Sequence, residues 1–215
     1  MAETVIVSIL ENHIGEITLN RPDSLNTFTL TLASELTAAL LQLEGDSAVR
    51  VIILKGAGKA FCAGIDVGDF FGKSTMEYQA WIECMETPLV TISRMKKPVV
   101  AQVHGVAAAN GAGLVAACDL AIAADNARMG LTAINVGLNC VGPVIPVTRS
   151  VGRKRAMEML LYGELLKAPA ALDMGLINKV VPAAHRRASI SRSAAGTTLL
   201  ISPMSRAAGA LSSSP

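Results

Sequence analysis

His104-Gly-Val-Ala-Ala-Ala-Asn-Gly-Ala-Gly-Leu-Val-Ala-Ala-Cys-Asp119 is the stretch whose reading decides the fold. The run before it, Pro98-Val-Val-Ala-Gln-Val103, is rich in β-branched residues, and the run after the turn is apolar and rich in alanine. Together they predict a buried strand, a tight turn and a buried helix. The turn carries almost no side chain beyond Cβ, so another molecule can approach its backbone closely. Its N–H groups belong to a helix N-terminus, where developing negative charge is favoured. The same small residues also serve close packing of a helix on a sheet, and both readings stand on this stretch alone.

Working outward, Thr4 to Leu10 and Ile14 to Asn20 alternate apolar with polar residues around Asn12-His13, which predicts a hairpin closed by Arg21-Pro22-Asp23. Leu32, Leu36, Leu40 and Leu43 recur at helical spacing, with Thr29 or Thr31 placed to cap that helix. Val49 to Lys55 reads as a buried strand and Gly56 to Asp69 as a loop. Met76 to Met95 reads as a helix interrupted near Pro88. After the central stretch, Leu120 to Ala124 is a short strand and Ala127 to Met129 stays extended. Gly130 to Val147 reads as irregular. Helices follow over Lys154 to Leu161 and Ala168 to Met174, and Gly175 to Val181 ends as a strand. Strand and helix alternate, so the chain is expected to be α/β with a mostly parallel sheet.

Apolar residues make up 51% of the chain, aromatics only 3%, and the net charge is +2, a balance that suits close packing and subunit contacts. No basic stripe with interleaved aromatics supports a nucleic-acid partner. The apolar run Gly105 to Ala124 contains Asn110, Asp119 and three glycines, so it is read as a buried helix and strand and no membrane association is expected. Cys62, Cys84, Cys118 and Cys140 lie far apart without a CxxC pair, which points to reduced, mostly buried thiols in a cytoplasmic protein and to no metal site.

Two small-residue turns, at 62–66 and 109–111, each follow a buried strand. Where two such turns meet, each supplies one backbone N–H to a single oxygen, the recurring way to hold an enolate or a tetrahedral oxyanion. At these residues the chain resembles the crotonase (enoyl-CoA hydratase/isomerase) superfamily. The resemblance is carried by Lys59-Ala-Phe-Cys-Ala-Gly-Ile-Asp66, by His104-Gly-Val-Ala with Gly111, and by Cys118-Asp119. Asn20-Arg21-Pro22 with Leu25-Asn26, Val151-Gly-Arg-Lys-Arg-Ala-Met-Glu-Met159 and Ala171-Leu-Asp-Met-Gly-Leu-Ile177 extend it across residues 4–182.

The resemblance implies a crotonase-like spiral of ββα units, built into homotrimers or hexamers, that binds an acyl-CoA thioester. CoA would then be part of the substrate, with no separate cofactor. It places the backbone N–H groups of Ile65 and Asn110 in an oxyanion hole and the Ala63 backbone beside the CoA adenine. Asp66, Gly111, Asn135, Asn139 and Cys140 fall in the substrate-binding segments; by themselves the loop residues 135, 139 and 140 also fit loop hydrogen bonding and packing, and Asp66 fits a capping role. The family's hydratases use two glutamates for the water and the α-proton, and here those positions hold Gly113 and Ala133. Simple hydration by that mechanism is therefore not expected. Asp69, Glu83 and Glu86 could reach the pocket from its lid, though nothing in the spacing demands it, while His104 reads as a satisfied core histidine. The expectation is an enoyl-CoA hydratase/isomerase family enzyme that passes through a thioester enolate. The alternative is a catalytically silent crotonase-fold protein that binds acyl-CoA or only its own subunits.

Residues 1–185 read as one core domain, and no acidic residue follows Asp173. The tail at 186–215 is Ala-, Ser- and Arg-rich without a helical stripe, and reads as weakly specified and of a truncated or frame-shifted kind.

Overall fold

The computed structural model describes residues 3–185, so the expectation for 186–215 lies outside the described residues. Strands β1 (Val5–Leu10) and β2 (Ile14–Leu19) form the expected antiparallel hairpin, with Val5 opposite Leu19. Asn12 and His13 turn it at positive φ. Helix α1 (Leu30–Gly45) starts at Thr29, whose hydroxyl accepts from the Leu32 N–H at 3.2 Å. Its Leu32, Leu36, Leu40 and Leu43 are all buried. Strand β3 (Val51–Gly56) follows, then the long loop, then helix α2 (Thr75–Arg94).

Helix α2 runs unbroken through Pro88, against the expected interruption. Proline costs one backbone hydrogen bond in a helix interior. The packing of buried Trp81, Met85, Leu89 and Ile92 at helical spacing outweighs that loss. A capping box at Ser74 and Glu77 fixes where the helix begins.

Strand β4 (Val99–Val103) is buried along its whole length, as a central parallel strand must be. The chain then departs from the expected strand–turn–helix. Gly105, at φ +55, turns it into a short strand β5 (Val106–Ala108) before helix α3 (Asn110–Ala117) begins. Only glycine fits there, because a Cβ on Gly105 would stand 2.0 Å from the Lys59 carbonyl oxygen. Strands β6 (Leu120–Ala124) and β7 (Arg128–Gly130) follow. The segment read as irregular holds a 3-10 turn over Thr132–Val136, and helix α4 (Val144–Val151) begins well before that segment's expected end. Helix α5 (Arg153–Tyr162), strand β8 (Leu166–Lys167), helix α6 (Ala168–Asp173) and strand β9 (Lys179–Val181) complete the described chain.

The main sheet has the order β1-β2-β3-β4-β6-β9, parallel throughout except for the first pair. A second, three-stranded sheet has the order β5-β7-β8. Strand alternation divides the buried residues between two faces. Ile52, Leu54, Val99, Ala101 and Val103 join the large core under α1, α2 and α3. Val51, Ile53, Val100 and Ile122 form a smaller cluster with Ile14 and Val181. The parallel strands thus deliver two loops to one end of the sheet, after β3 and after β4, where the candidate site lies. Among the described residues no helix is long and apolar enough to cross a membrane.

Candidate active site

The loop after β3 and the turn before α3 are stitched together. The Phe61 and Cys62 N–H groups donate to the Val106 carbonyl, each at 3.1 Å, and the Ala108 N–H donates back to the Cys62 carbonyl at 2.9 Å. A Cβ on Gly111 would stand 2.1 Å from that same Cys62 oxygen, so the α3 N-terminus lies directly on the loop. Gly64, at φ +108, faces Ala108 and Ala109 from the other side. The two small-residue turns therefore meet, as the sequence suggests.

Ala109 makes the corner at φ 47 and ψ −112, a conformation that L residues seldom adopt. Such strain costs on the order of 1–3 kcal/mol and persists only where the surroundings enforce it. Here the Ala109 N–H donates to the Gly130 carbonyl at 2.9 Å, anchoring the corner to β7. The corner sets Asn110 as the first residue of α3, whose N–H has no partner within its own helix. Among the described residues, neither the Asn110 nor the Ile65 N–H donates to a protein acceptor. Both residues line one cavity of about 230 Å³.

That cavity is largely apolar. Phe70, Trp81, Ile82 and Met85 line it, together with Ala133, Leu138, Val141 and Pro143. Four of the seven aromatic residues gather beside it: Phe70 packs against Phe71, Tyr78 and Trp81 at centroid distances of 5.6, 5.2 and 5.6 Å. Aromatic pairs of this kind contribute about 0.5–1.5 kcal/mol each beyond the area they bury. In a chain so poor in aromatics, that concentration fixes the loop after β3 against α2.

Of the site residues expected from sequence, Ile65, Asn110, Ala133, Asn139 and Cys140 line the cavity. Gly113, Gly111, Ala63, Asp66 and Asn135 do not. Gly113 faces the wall behind it, where a Cβ would meet Leu89 at 2.8 Å and Pro143 at 2.9 Å. Gly111 is the contact between the turns described above. Ala63 donates its N–H to the Leu25 carbonyl at 3.0 Å. Asp66 pairs with Arg21 at 3.1 Å and accepts from the Gly68 N–H at 3.3 Å, which is a capping and tethering role. Asn135 donates to the Gly163 carbonyl at 2.8 Å. The Asn110 side chain is turned toward α2, where its amide donates to the Met85 carbonyl at 3.3 Å. His104 is buried and its Nε2 lies 3.0 Å from the Gly58 carbonyl oxygen, in keeping with a core histidine.

Titratable groups at the cavity are few. Burial pushes the Cys140 thiol up, so it stays protonated at neutral pH, and burial pushes the Cys62 thiol behind it up to about 12. Glu86 is the one carboxylate among the described lining residues. It stands on the same face of α2 as Ile82, one turn on, and is partly buried at the edge of the core-facing residues. Partial burial raises its pKa above the ordinary value of 4.5, and the Gly142 backbone pulls it partly back. The sequence placed Glu86 among three acids near the lid, without a signal that separates it from Glu83.

A mixed α/β fold with a mostly parallel sheet and paired loops at one end of it defines a crotonase-fold protein. The family model for enoyl-CoA hydratase/isomerase matches residues 10–197, and the chain belongs to that family. It is 35% identical over 183 residues to the mitochondrial enoyl-CoA hydratase domain-containing protein 3 of Xenopus laevis, covering 85% of this chain and 62% of that protein. It is 34% identical over 186 residues to a putative enoyl-CoA hydratase of Thermus thermophilus, covering 82% of this chain and 71% of that one. The solved structure of an enoyl-CoA hydratase from Mycobacterium smegmatis superposes with a TM-score of 0.88 at 36% identity, over 92% of this chain and 77% of that one. The chain thus spans just under two thirds of the length of the frog relative.

Proposed function

We propose that this chain binds an acyl-CoA thioester in the cavity beside α2 and stabilises its enolate with the backbone N–H groups of Ile65 and Asn110. The observation that carries this reading is the pair of unpartnered N–H groups on two mutually bonded loops at the wall of one apolar cavity. An apolar wall suits an acyl chain, and fixed dipoles in a site of low dielectric act on an oxyanion without reorganising. The Ala63 backbone sits beside the CoA adenine, and Asn139 and Cys140 border the acyl chain. CoA enters as part of the substrate, and no separate cofactor is required.

Hydration by two glutamates is not available, because the positions that would hold them are Gly113 and Ala133. Turnover therefore runs through the enolate with a different proton carrier. The exposed apolar residues Ile134, Val136, Ile145, Leu161 and Tyr162 on neighbouring elements suit burial against further copies in a trimer or hexamer.

Titration calorimetry with CoA, with a saturated acyl-CoA and with the matching thioether, which lacks the carbonyl oxygen, tests this reading. The expected order of affinity is thioester, then thioether, then CoA. Equal affinity for thioester and thioether removes the oxyanion hole, and no binding of any of the three leaves the assembly-only alternative.

A further inference from the structure

We propose that Glu86 is the catalytic base and acid of this site, carrying a proton between two carbons of the bound acyl chain so that the reaction is a double-bond migration. This rests on the acyl-CoA reading above. Two observations carry it. Glu86 lines the cavity that also holds Ile65 and Asn110, and it is the only carboxylate to do so among the described residues. Its carboxylate also lies against the loop after Cys140: the Gly142 backbone hydrogen-bonds to it, and a Cβ on Gly142 would stand 2.1 Å from Glu86 Cδ.

The chemistry follows from what the cavity lacks. Adding water to a double bond needs a group to hold and activate the water and a second to deliver a proton. Here the thiol of Cys140 is kept protonated by burial, and Asn110 and Asn139 do not titrate. One carboxylate and one oxyanion site suffice for a 1,3-proton shift. Glu86 takes a proton from C2 of a 3-enoyl thioester. The C2–H electron pair moves into the C1–C2 bond, and the thioester carbonyl becomes the enolate oxygen held by the Ile65 and Asn110 N–H groups. The enolate collapses: an oxygen lone pair re-forms the carbonyl, the C1–C2 π pair becomes the C2–C3 double bond, and the C3–C4 π pair takes the proton from Glu86 at C4. The product is the 2-enoyl thioester, and the enzyme returns to its starting form without water, oxidant or co-reactant.

The environment of Glu86 suits the task, since a carboxylate with a raised pKa is a better base for a weak carbon acid. Glu86 also borders two neighbouring recesses, one shared with Arg149 of α4 and one with Glu83 and Arg94 of its own helix. Cys140 lines the same cavity as Glu86.

Exchange of the C2 hydrogens of butyryl-CoA in D2O, followed by mass spectrometry, isolates the first half of the reaction. Conversion of 3-hexenoyl-CoA to its 2-enoyl isomer follows the whole. For the full chain both are expected to proceed. Glu86→Gln should lower both about 100-fold or more, the general-base contribution typical of a positioned side chain, while butyryl-CoA binding by calorimetry changes less than threefold. Glu86→Asp should retain partial activity. Exchange by Glu86→Gln within threefold of the parent overturns the proposal, as does a parent that binds butyryl-CoA and exchanges nothing. A parent that binds no acyl-CoA at all instead overturns the reading on which the proposal rests, and the proposal with it. The pH profile of the unmutated protein decides the matter even where the variants fail to fold. Exchange should fall as pH falls through a carboxylate pKa above 4.5, and a profile flat down to 4.5 removes Glu86 as the base.

Discussion

Replacing Ala133 by glutamate probes the two positions, 113 and 133, where the family resemblance leads one to expect glutamate, because the structure treats them differently. Ala133 lines the cavity and is partly exposed, so a longer side chain there extends into space of about 230 Å³. The carboxylate enters the cavity that Glu86 also lines and gives the site the second acid/base group that water addition requires. General acid/base catalysis by one positioned group contributes about 10²- to 10⁴-fold, or roughly 3–5 kcal/mol of barrier. The cost is a second carboxylate in an apolar wall, roughly 1–3 kcal/mol of stability. That corresponds to a fall in Tm of about 2–4 °C per kcal/mol in a chain of this size. Gly113→Glu behaves otherwise. Its Cβ would stand 2.8 Å from Leu89 and 2.9 Å from Pro143, and the Pro143 ring cannot rotate away. Overpacking of about 1–3 kcal/mol adds to an unpaired buried charge worth several more, which approaches the whole stability of a domain. The assay is hydration of a 2-enoyl-CoA, read by loss of the conjugated thioester absorbance, together with thermal unfolding. Ala133→Glu is expected to fold and gain turnover at least tenfold, and Gly113→Glu to yield little folded protein. An Ala133→Glu protein that folds, binds acyl-CoA as before and gains no turnover refutes the reasoning about the site.

Gly111→Ala should lower Tm by several degrees and acyl-CoA turnover by more than tenfold, because the new methyl would sit 2.1 Å from the Cys62 carbonyl oxygen and force the two loops apart; a Tm within 1 °C of the parent contradicts the close approach of the two turns. Gly45→Ala serves as its counterpart: a Cβ there meets nothing within 4 Å at the end of α1, so chemical denaturation should show a gain of about 0.5–1 kcal/mol. At the start of α2, hydrogen bonds from Ser74 hold the Glu77 carboxyl below its usual range, so that end of the helix is firm above the ordinary glutamate pKa and loosens as pH falls through the lowered one. Hydrogen exchange at residues 75–78 should rise over that acidic window in the parent, and Ser74→Ala, at a cost of about 1 kcal/mol, should raise it already at neutral pH.

The fold was legible wherever burial sets the pattern. The hairpin, α1 with its Thr29 cap, and strands β3, β4 and β6 each carry an unambiguous apolar period. The features that escaped sequence reading have a common cause, which is that tertiary contacts override local preference. Pro88 is a helix breaker on its own, yet α2 passes through it because four buried side chains hold the helix on both sides. Strand β5 is three residues long and is defined by its partners, β7 and Cys62, more than by its own composition. The corner before α3 was read only as a turn of small residues, and its positive φ belongs to Ala109, pinned by the Gly130 carbonyl. No single-residue preference predicts a strained alanine.

The site divides along a different line. The meeting of the two turns was legible, because small residues at 62–66 and 109–111 mark a place where main chain comes close to main chain. Side-chain chemistry was not, because it depends on which face of a lid helix looks inward. Glu83 and Glu86 are equivalent as sequence; three residues apart on α2, they part company only once Trp81, Ile82 and Met85 define the cavity side. Ile82 and Glu86 are four apart and share that side, with Glu86 partly buried at the edge of the core-facing residues. Burial there raises its carboxyl above the ordinary range. On the proposal above, with Gly113 closed off by Pro143 and Ala133 without a titratable group, proton transfer falls to Glu86 of α2. The acyl chain would then have to lie where Glu86 and the N–H groups of Ile65 and Asn110 all reach it, in the one cavity that these three residues line.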